Sequence, residues 1–214
     1  MLYDFDHITT WVFDLDHTLY PPQTRLFDQI EARMVAYVMR ALGVDKAEAD
    51  KLRAAYWRAH GTTLAGLMHH HEIDAVDFIN DVHDIDFSVL SADPDLRAHI
   101  QNLPGRRIVY TNGGADYAAR VLDARGLTHL FDAIYGVEHA DWRPKPEHAA
   151  FERVFARDGL DPTRGAMFED EPRNLEVPHL LGMRTVHVAP QPHTAPHIHH
   201  HTHDLSGFLA QLVP

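Results

Sequence analysis

Three short apolar runs in this 214-residue chain stop abruptly on oxygen-bearing side chains. Ile8 to Phe13, with two threonines inside it, stops on Asp14, and Asp16 and Thr18 follow at alternate positions. Arg106 to Tyr110 ends in Thr111-Asn112-Gly113-Gly114, and Gly165 to Phe168 ends on Glu169-Asp170-Glu171. The first run is rich in β-branched and aromatic residues, as a buried strand requires. From residue 91 onward such runs alternate with helical spacing. That alternation predicts an α/β fold, a doubly wound parallel sheet covered on both faces. Ligands bind beyond the carboxyl ends of the strands in such sheets. If the sheet is parallel, all three polar clusters share one edge.

The segments between the runs read as follows. Pro21-Pro22 stops regular structure after the first run. Apolar residues at Leu26, Ile30, Met34, Tyr37, Val38 and Leu42 predict a helix that stops at Gly43. Further helices are expected over 46–59, 64–70 and 75–82, with a break at Gly61-Thr62-Thr63. Nothing between Pro21 and Leu90 reads as a strand. The expected domains are therefore a core formed by 1–20 and 91–214, and an inserted helical domain at 21–90. Within the core, helices are expected over 95–103, 115–125, 147–157, 173–181 and 205–212, with short strands at 133–137 and 184–188. Pro178 is expected to kink or weaken its helix.

Composition limits the function classes. A formal charge of −12 argues against nucleic acid polymers and anionic membranes as partners. No run approaches 18 apolar residues, the N-terminus has no signal-peptide pattern, and there is no cysteine. A cytoplasmic protein, monomer or homodimer, is the expectation. Nineteen histidines make the charge strongly pH-dependent. The tract at 191–203, rich in histidine, reads as a solvated loop able to bind a metal adventitiously, and His69-His70-His71 is a second such cluster.

Two carboxylates and a hydroxyl at the mouth of a buried strand cost free energy through desolvation and repulsion. A hard, oxygen-preferring cation such as Mg²⁺ relieves that cost. A phosphate ester brought to this edge needs a nucleophile, neutralised oxygens and a proton for the leaving alkoxide. Asp14 can attack phosphorus and Asp16 can serve as acid and then base. Mg²⁺ held by Asp14 and Asp170 admits an anionic nucleophile to an anionic phosphate. The Thr111 hydroxyl and the backbone amides of Asn112 and Gly113 sit where a helix begins, a setting that binds phosphate. Lys145, stiffened between Pro144 and Pro146, supplies the positive clamp.

The ordered set D-L-D-H-T (14–18), T-N-G (111–113), K-P (145–146) and F-E-D-E-P-R-N-L (168–175) resembles the haloacid dehalogenase (HAD) superfamily of phosphohydrolases. The resemblance implies Asp14 as nucleophile and Asp16 as acid/base, with the backbone carbonyl of Asp16 an additional metal ligand beside Asp14 and Asp170. It implies Thr111 and Lys145 as phosphate ligands. Glu169 stands where a second Asp is often found, as a metal ligand or an orienting group, and Asn174 fits a supporting position near Asp170. The block at 21–90 fits the superfamily's cap. D-L-D-H-T-L-Y-P, Y-W-R-A-H-G-T-T-L-A-G-L (56–67) and V-H-D-I-D (82–86) are similar to the pyrimidine 5′-nucleotidase branch. That comparison makes Tyr20, His60, Thr62 and Thr63 candidate substrate contacts. The expected partner is a small phosphate ester. Phosphoglycolate or sugar-phosphate phosphatase or phosphomutase chemistry is the alternative, and a phospho-accepting signalling module is the non-enzyme one. His17 reads only as a turn residue.

Overall fold

The computed structural model describes residues 4–212. Six strands form one sheet in the order β3-β2-β1-β4-β5-β6: β1 (Thr10–Phe13), β2 (Arg106–Tyr110), β3 (Ala133–Tyr135), β4 (Gly165–Glu169), β5 (Arg184–Val188) and β6 (His200–Thr202). Every pairing is parallel. The chain leaves β1 for β2 on one side and reaches β4 on the other, so β1 lies at the point where the winding reverses. Phe13 pairs with Val109 and with Phe168. One step further, Asp14 is therefore level with the ends of both neighbouring strands.

The strands are buried on both faces, which is why their sequences read as continuous apolar runs. Trp11 and Phe13 point to one face and pack against Phe168, the Phe13 and Phe168 rings stacking at 4.8 Å. Val12 points to the other with Ile108, Tyr110 and Met167. Helices α5 (Pro94–Asn102), α6 (Ala115–Ala124), α7 (His148–Asp158), α8 (Glu176–Leu180) and α9 (Leu205–Leu209) cover these faces. The helix expected over 173–181 begins as a 3₁₀ turn, Pro172–Leu175, and turns α-helical only from Glu176.

Between β1 and β2 lie α1 (Leu26–Leu42), α2 (Lys46–His60), α3 (Thr63–His70) and α4 (Ala75–Val82). Their starts carry caps: Asp45, Thr62 and Asp74 accept backbone N–H bonds at α2, α3 and α4. Gly43 ends α1 at φ 66°, a conformation that costs any other residue strain. Arg125, buried at the end of α6, clamps both connections of this segment. It donates to the Leu19 carbonyl on the outgoing side and to the Ser91 carbonyl and Asp93 carboxylate on the return.

Helices α2 and α3 cross closely because Gly66 has no side chain. A Cβ there would lie 2.3 Å from the Tyr56 Cβ. Gly66→Ala is expected to destabilise the protein by about 1–3 kcal/mol, since overpacking outweighs the helix-propensity gain of up to about 1 kcal/mol. Urea denaturation reads this directly, and an unchanged or raised midpoint would count against the crossing.

The end of the histidine-rich tract departs from the expectation of a solvated loop, while 191–194 remain exposed. His200–Thr202 is the sheet's edge strand. Thr185 Oγ1 donates to the His197 carbonyl, the Thr185 N–H donates to His199 Nδ1, and His201 Nε2 bonds the Ala189 carbonyl. The His200 ring packs 5.2 Å from that of Phe5. A half-buried edge strand of two histidines and a threonine carries no apolar alternation, so periodicity could not mark it.

No helix among the described residues is long and apolar enough to cross a membrane.

Candidate active site

The ends of β1, β2 and β4 converge on one edge, and the side chains there lock together. Lys145 Nζ is fully buried and donates to Asp14 Oδ1 at 2.6 Å, to Glu169 Oε2 at 2.6 Å and to the Tyr110 carbonyl at 3.0 Å. Its backbone is held by Asn112, whose side-chain amide donates to the Lys145 carbonyl and accepts from the Lys145 N–H. Arg143, nearby in sequence, faces out and pairs loosely with Glu147.

Asp14, Glu169 and Asp170 each place a carboxylate oxygen within 4.8 Å of the others. Asp14 and Glu169 share one ammonium and Asp170 lies beside them, so the cluster carries more carboxylate than Lys145 can compensate. Burial, the Glu169 charge and the Asp16 charge push Asp14 up to about 7 despite Lys145. Burial also raises Glu169 and Asp170, while Asp14 and Glu169 overcome burial to keep Lys145 protonated. An all-oxygen, over-negative donor set of this kind suits a hard dication. Asn174, in the turn after β4, is buried with its Oδ1 unpartnered among the described residues. It lines the same cavity, an acceptor with nothing to accept from.

Asp16 is held by a different network. Both phenols behind it donate to Oδ1, Tyr20 at 2.5 Å and Tyr117 at 2.6 Å. The aspartate pair is thus divided, Asp14 on a cation and Asp16 on two neutral donors. Tyr20 is buried behind Asp16 and does not line the cavity. The Thr111 Oγ1 accepts from the Gly113 N–H at 2.9 Å, so that amide is satisfied within the loop.

Four groups were not legible as site residues. His17, at φ 62°, brings Nδ1 within 3.4 Å of Asp170 Oδ2; burial works to lower the imidazole's pKa, but Asp170 together with the Asp16 and Asp14 charges raises it. Tyr117 holds Asp16, as above. His187 on β5 bonds the Asp170 carbonyl at 2.9 Å. Arg173 reaches across to α2, donating to the Trp57 and Gly61 carbonyls with its guanidinium 3.8 Å from the centre of the Trp57 ring. The only sequence signal for His17 was its place inside D-L-D-H-T.

Above these groups is a cavity of about 470 Å³, within the range of small-molecule sites. Its floor is the polar edge of the sheet, and its wall comes from the α1–α4 segment: Phe27, Ile30 and Met34 on α1, Trp57 on α2, Phe78 and Val82 on α4. Thr62 and Thr63 line it, Thr62 while also capping α3. His60 does not line it and instead faces His70.

Comparisons with known proteins agree with this architecture. Phosphate metabolism protein 8 of Saccharomyces cerevisiae is 29% identical over 194 residues, 82% of this chain and 59% of that protein. The chain thus spans under two thirds of the length of the curated relative it matches. CbbY from Rhodobacter sphaeroides, solved with xylulose-(1,5)bisphosphate, superposes with a TM-score of 0.67 at 17% identity, covering 97% of this chain and 100% of that one. The HAD-hydrolase YfnB from Bacillus subtilis, bound to magnesium, superposes at 0.61 with 19% identity, covering 96% and 98%. At those identities the structural likeness establishes the fold. Residues 8–179, spanning all four motifs, match the family model of haloacid dehalogenase-like hydrolases, and the chain belongs to that family.

Proposed function

We propose that this hydrolase is a Mg²⁺-dependent phosphatase of small phosphate monoesters, with a pyrimidine nucleoside 5′-monophosphate as the preferred substrate. The observation that carries the reading is the separate anchoring of Asp14 and Asp16. Two carboxylates in different surroundings can take different roles. Asp14, aligned by Lys145, attacks phosphorus to give an aspartyl phosphate and expels the alkoxide. Asp16, fixed through Oδ1 by two tyrosines, gives its proton to the leaving oxygen and later takes one from the hydrolytic water. Lys145 and Thr111 bind the phosphoryl oxygens, with the Asn112 and Gly113 amides beside them. Glu169 orients Lys145, since its two oxygens already engage Lys145 Nζ and the Glu171 N–H.

Asp14, Asp170 and the Asp16 carbonyl are the proposed holders of Mg²⁺, with Asn174 and Glu169 in support. When bound, the ion offsets the negative charge of nucleophile and phosphate. Residues 21–90 act as a cap whose apolar wall receives the leaving group and excludes water. Arg173 holds it against the core, and Arg125 fixes the two connections to it.

Metal binding should displace protons. Asp14 ionises near 7 in the folded chain against 3.8 for an ordinary aspartate. Between those values the folded protein binds more protons than the unfolded one, so metal-free stability falls as pH rises through that window. Mg²⁺ binding is expected to release protons at pH 6 and almost none above pH 8, and to tighten with pH. Calorimetry in buffers of different ionisation enthalpy measures this, and a pH-independent proton count would contradict it.

The function itself is tested with a panel of UMP, CMP, phosphoglycolate and sugar phosphates, assayed with and without Mg²⁺. The expected result is Mg²⁺-dependent release of phosphate, fastest from UMP or CMP. No turnover of any ester would overturn the phosphatase reading. A preference for sugar phosphates would overturn only the nucleotidase part.

A further inference from the structure

The close crossing of α2 and α3 gathers histidines on the outer side of the helical segment. Helix α2 ends on His60, and α3 ends on His69 and His70. The His60 ring lies 4.9 Å from that of His69 and 5.1 Å from that of His70, and the latter two rings are 4.6 Å apart. The Nε2 atoms of His60 and His70 face each other at 3.1 Å. Tyr56 holds the arrangement from below. Its ring stacks on His70 at 5.2 Å and its hydroxyl bonds His71 Nε2 at 2.8 Å. His69 and His70 are exposed and His60 is half-buried, so solvent ions reach them.

Two ligands on one tetrahedral ion, at Zn–N distances of about 2.0–2.1 Å, stand about 3.3 Å apart. The hydrogen bond between the two ring nitrogens, 3.1 Å long, is close to that bite, so turning the two rings, without moving the backbone, aims both lone pairs at one ion. Imidazole nitrogen selects Zn²⁺ and its neighbours over Mg²⁺, so this donor set is chemically distinct from the oxygen cluster on the sheet edge. Ligation needs neutral rings.

We propose that His60 and His70, with solvent completing the coordination, form a binding site for a borderline transition-metal dication of the Zn²⁺ type. The ion would join the C-terminal ends of α2 and α3. Between those helices runs the Gly61-Thr62-Thr63 turn, which lines the cavity. Gly61 packs on the Lys145 carbonyl so tightly that a Cβ would lie 3.0 Å from it, and its own carbonyl accepts from Arg173. A cross-link at His60 and His70 therefore stiffens one wall of the cavity.

The test is a titration of the full chain, saturated with Mg²⁺, with Zn²⁺ by calorimetry and with Co²⁺ by its visible d–d absorption. Wild type is compared with His60→Gln/His70→Gln. A control, His193→Gln/His203→Gln, removes exposed histidines of the 191–203 tract instead. Circular dichroism verifies that each variant folds. The expected result is that the first variant loses one equivalent of Zn²⁺, or binds it at least about tenfold more weakly, and loses the Co²⁺ band. The control keeps both. Equal titration of wild type and the first variant, or loss of the equivalent in the control alone, overturns the proposal.

Discussion

Asp14→Asn is expected to abolish phosphate-ester turnover, by at least about 10⁴-fold in kcat, while leaving the chain folded. Asparagine has the shape of aspartate and keeps an acceptor for Lys145 Nζ, which now bonds Asp14 Oδ1 at 2.6 Å. It cannot form an acyl phosphate. The substitution also removes one charge from a buried cluster in which Asp14 and Glu169 share a single ammonium and Asp170 lies beside them. Metal-free stability should therefore be unchanged or raised, and its fall between pH 4 and pH 7 should flatten. Steady-state assays and rapid quenching with a ³²P-labelled ester separate these effects. Wild type should carry label on the protein during turnover and the variant none. A variant retaining more than about one hundredth of wild-type kcat would rule out Asp14 as nucleophile.

Lys145→Met should have the largest effect on stability. The ammonium is fully buried and is the shared partner of Asp14 and Glu169. Removing one side of a buried ion pair leaves uncompensated charge and costs about 3–5 kcal/mol. The carboxylates can escape that cost by taking up protons, since both are already raised by burial. The loss should therefore be smaller at pH 5 than at pH 8, and Mg²⁺ should restore part of it by supplying positive charge to the same oxygens. Adding Glu169→Gln should recover stability further without recovering activity, because the proposed phosphate clamp stays missing. Urea denaturation of the single and double variants at both pH values is the measurement. Equal destabilisation at pH 5 and pH 8 would show that the lysine acts by packing alone.

Much of the frame was legible in the chain. Leu26–Leu42, Ala75–Val82, Arg106–Tyr110 and Arg184–Val188 fall where apolar spacing and stop residues place them. Each of these signals is local: a helical period, an apolar run ending on polar residues, or a stop glycine such as Gly43, which the structure places in the left-handed region. The convergence of Asp14, Thr111 and Glu169/Asp170 also followed from sequence, because in an all-parallel sheet strand ends of one sense meet on one edge. The 3₁₀ start at Pro172 was not legible, since its proline satisfies the start of either helix type.

The sequence by itself determined the class of fold, the edge that carries the chemistry and the identity of its central carboxylates. Tertiary structure alone decided how those groups are divided among partners. Lys145 meets Asp14 across 131 residues and Glu169 across 24, and Tyr117 meets Asp16 across 101. It likewise set His17 on Asp170, turned Tyr20 inward, and built an edge strand from histidines. The physical reason is one of range. Periodicity and caps report the burial of a segment against its own neighbours. Which buried charge finds which donor depends on strand order, register and the crossing of helices, and these exist only once distant segments have packed.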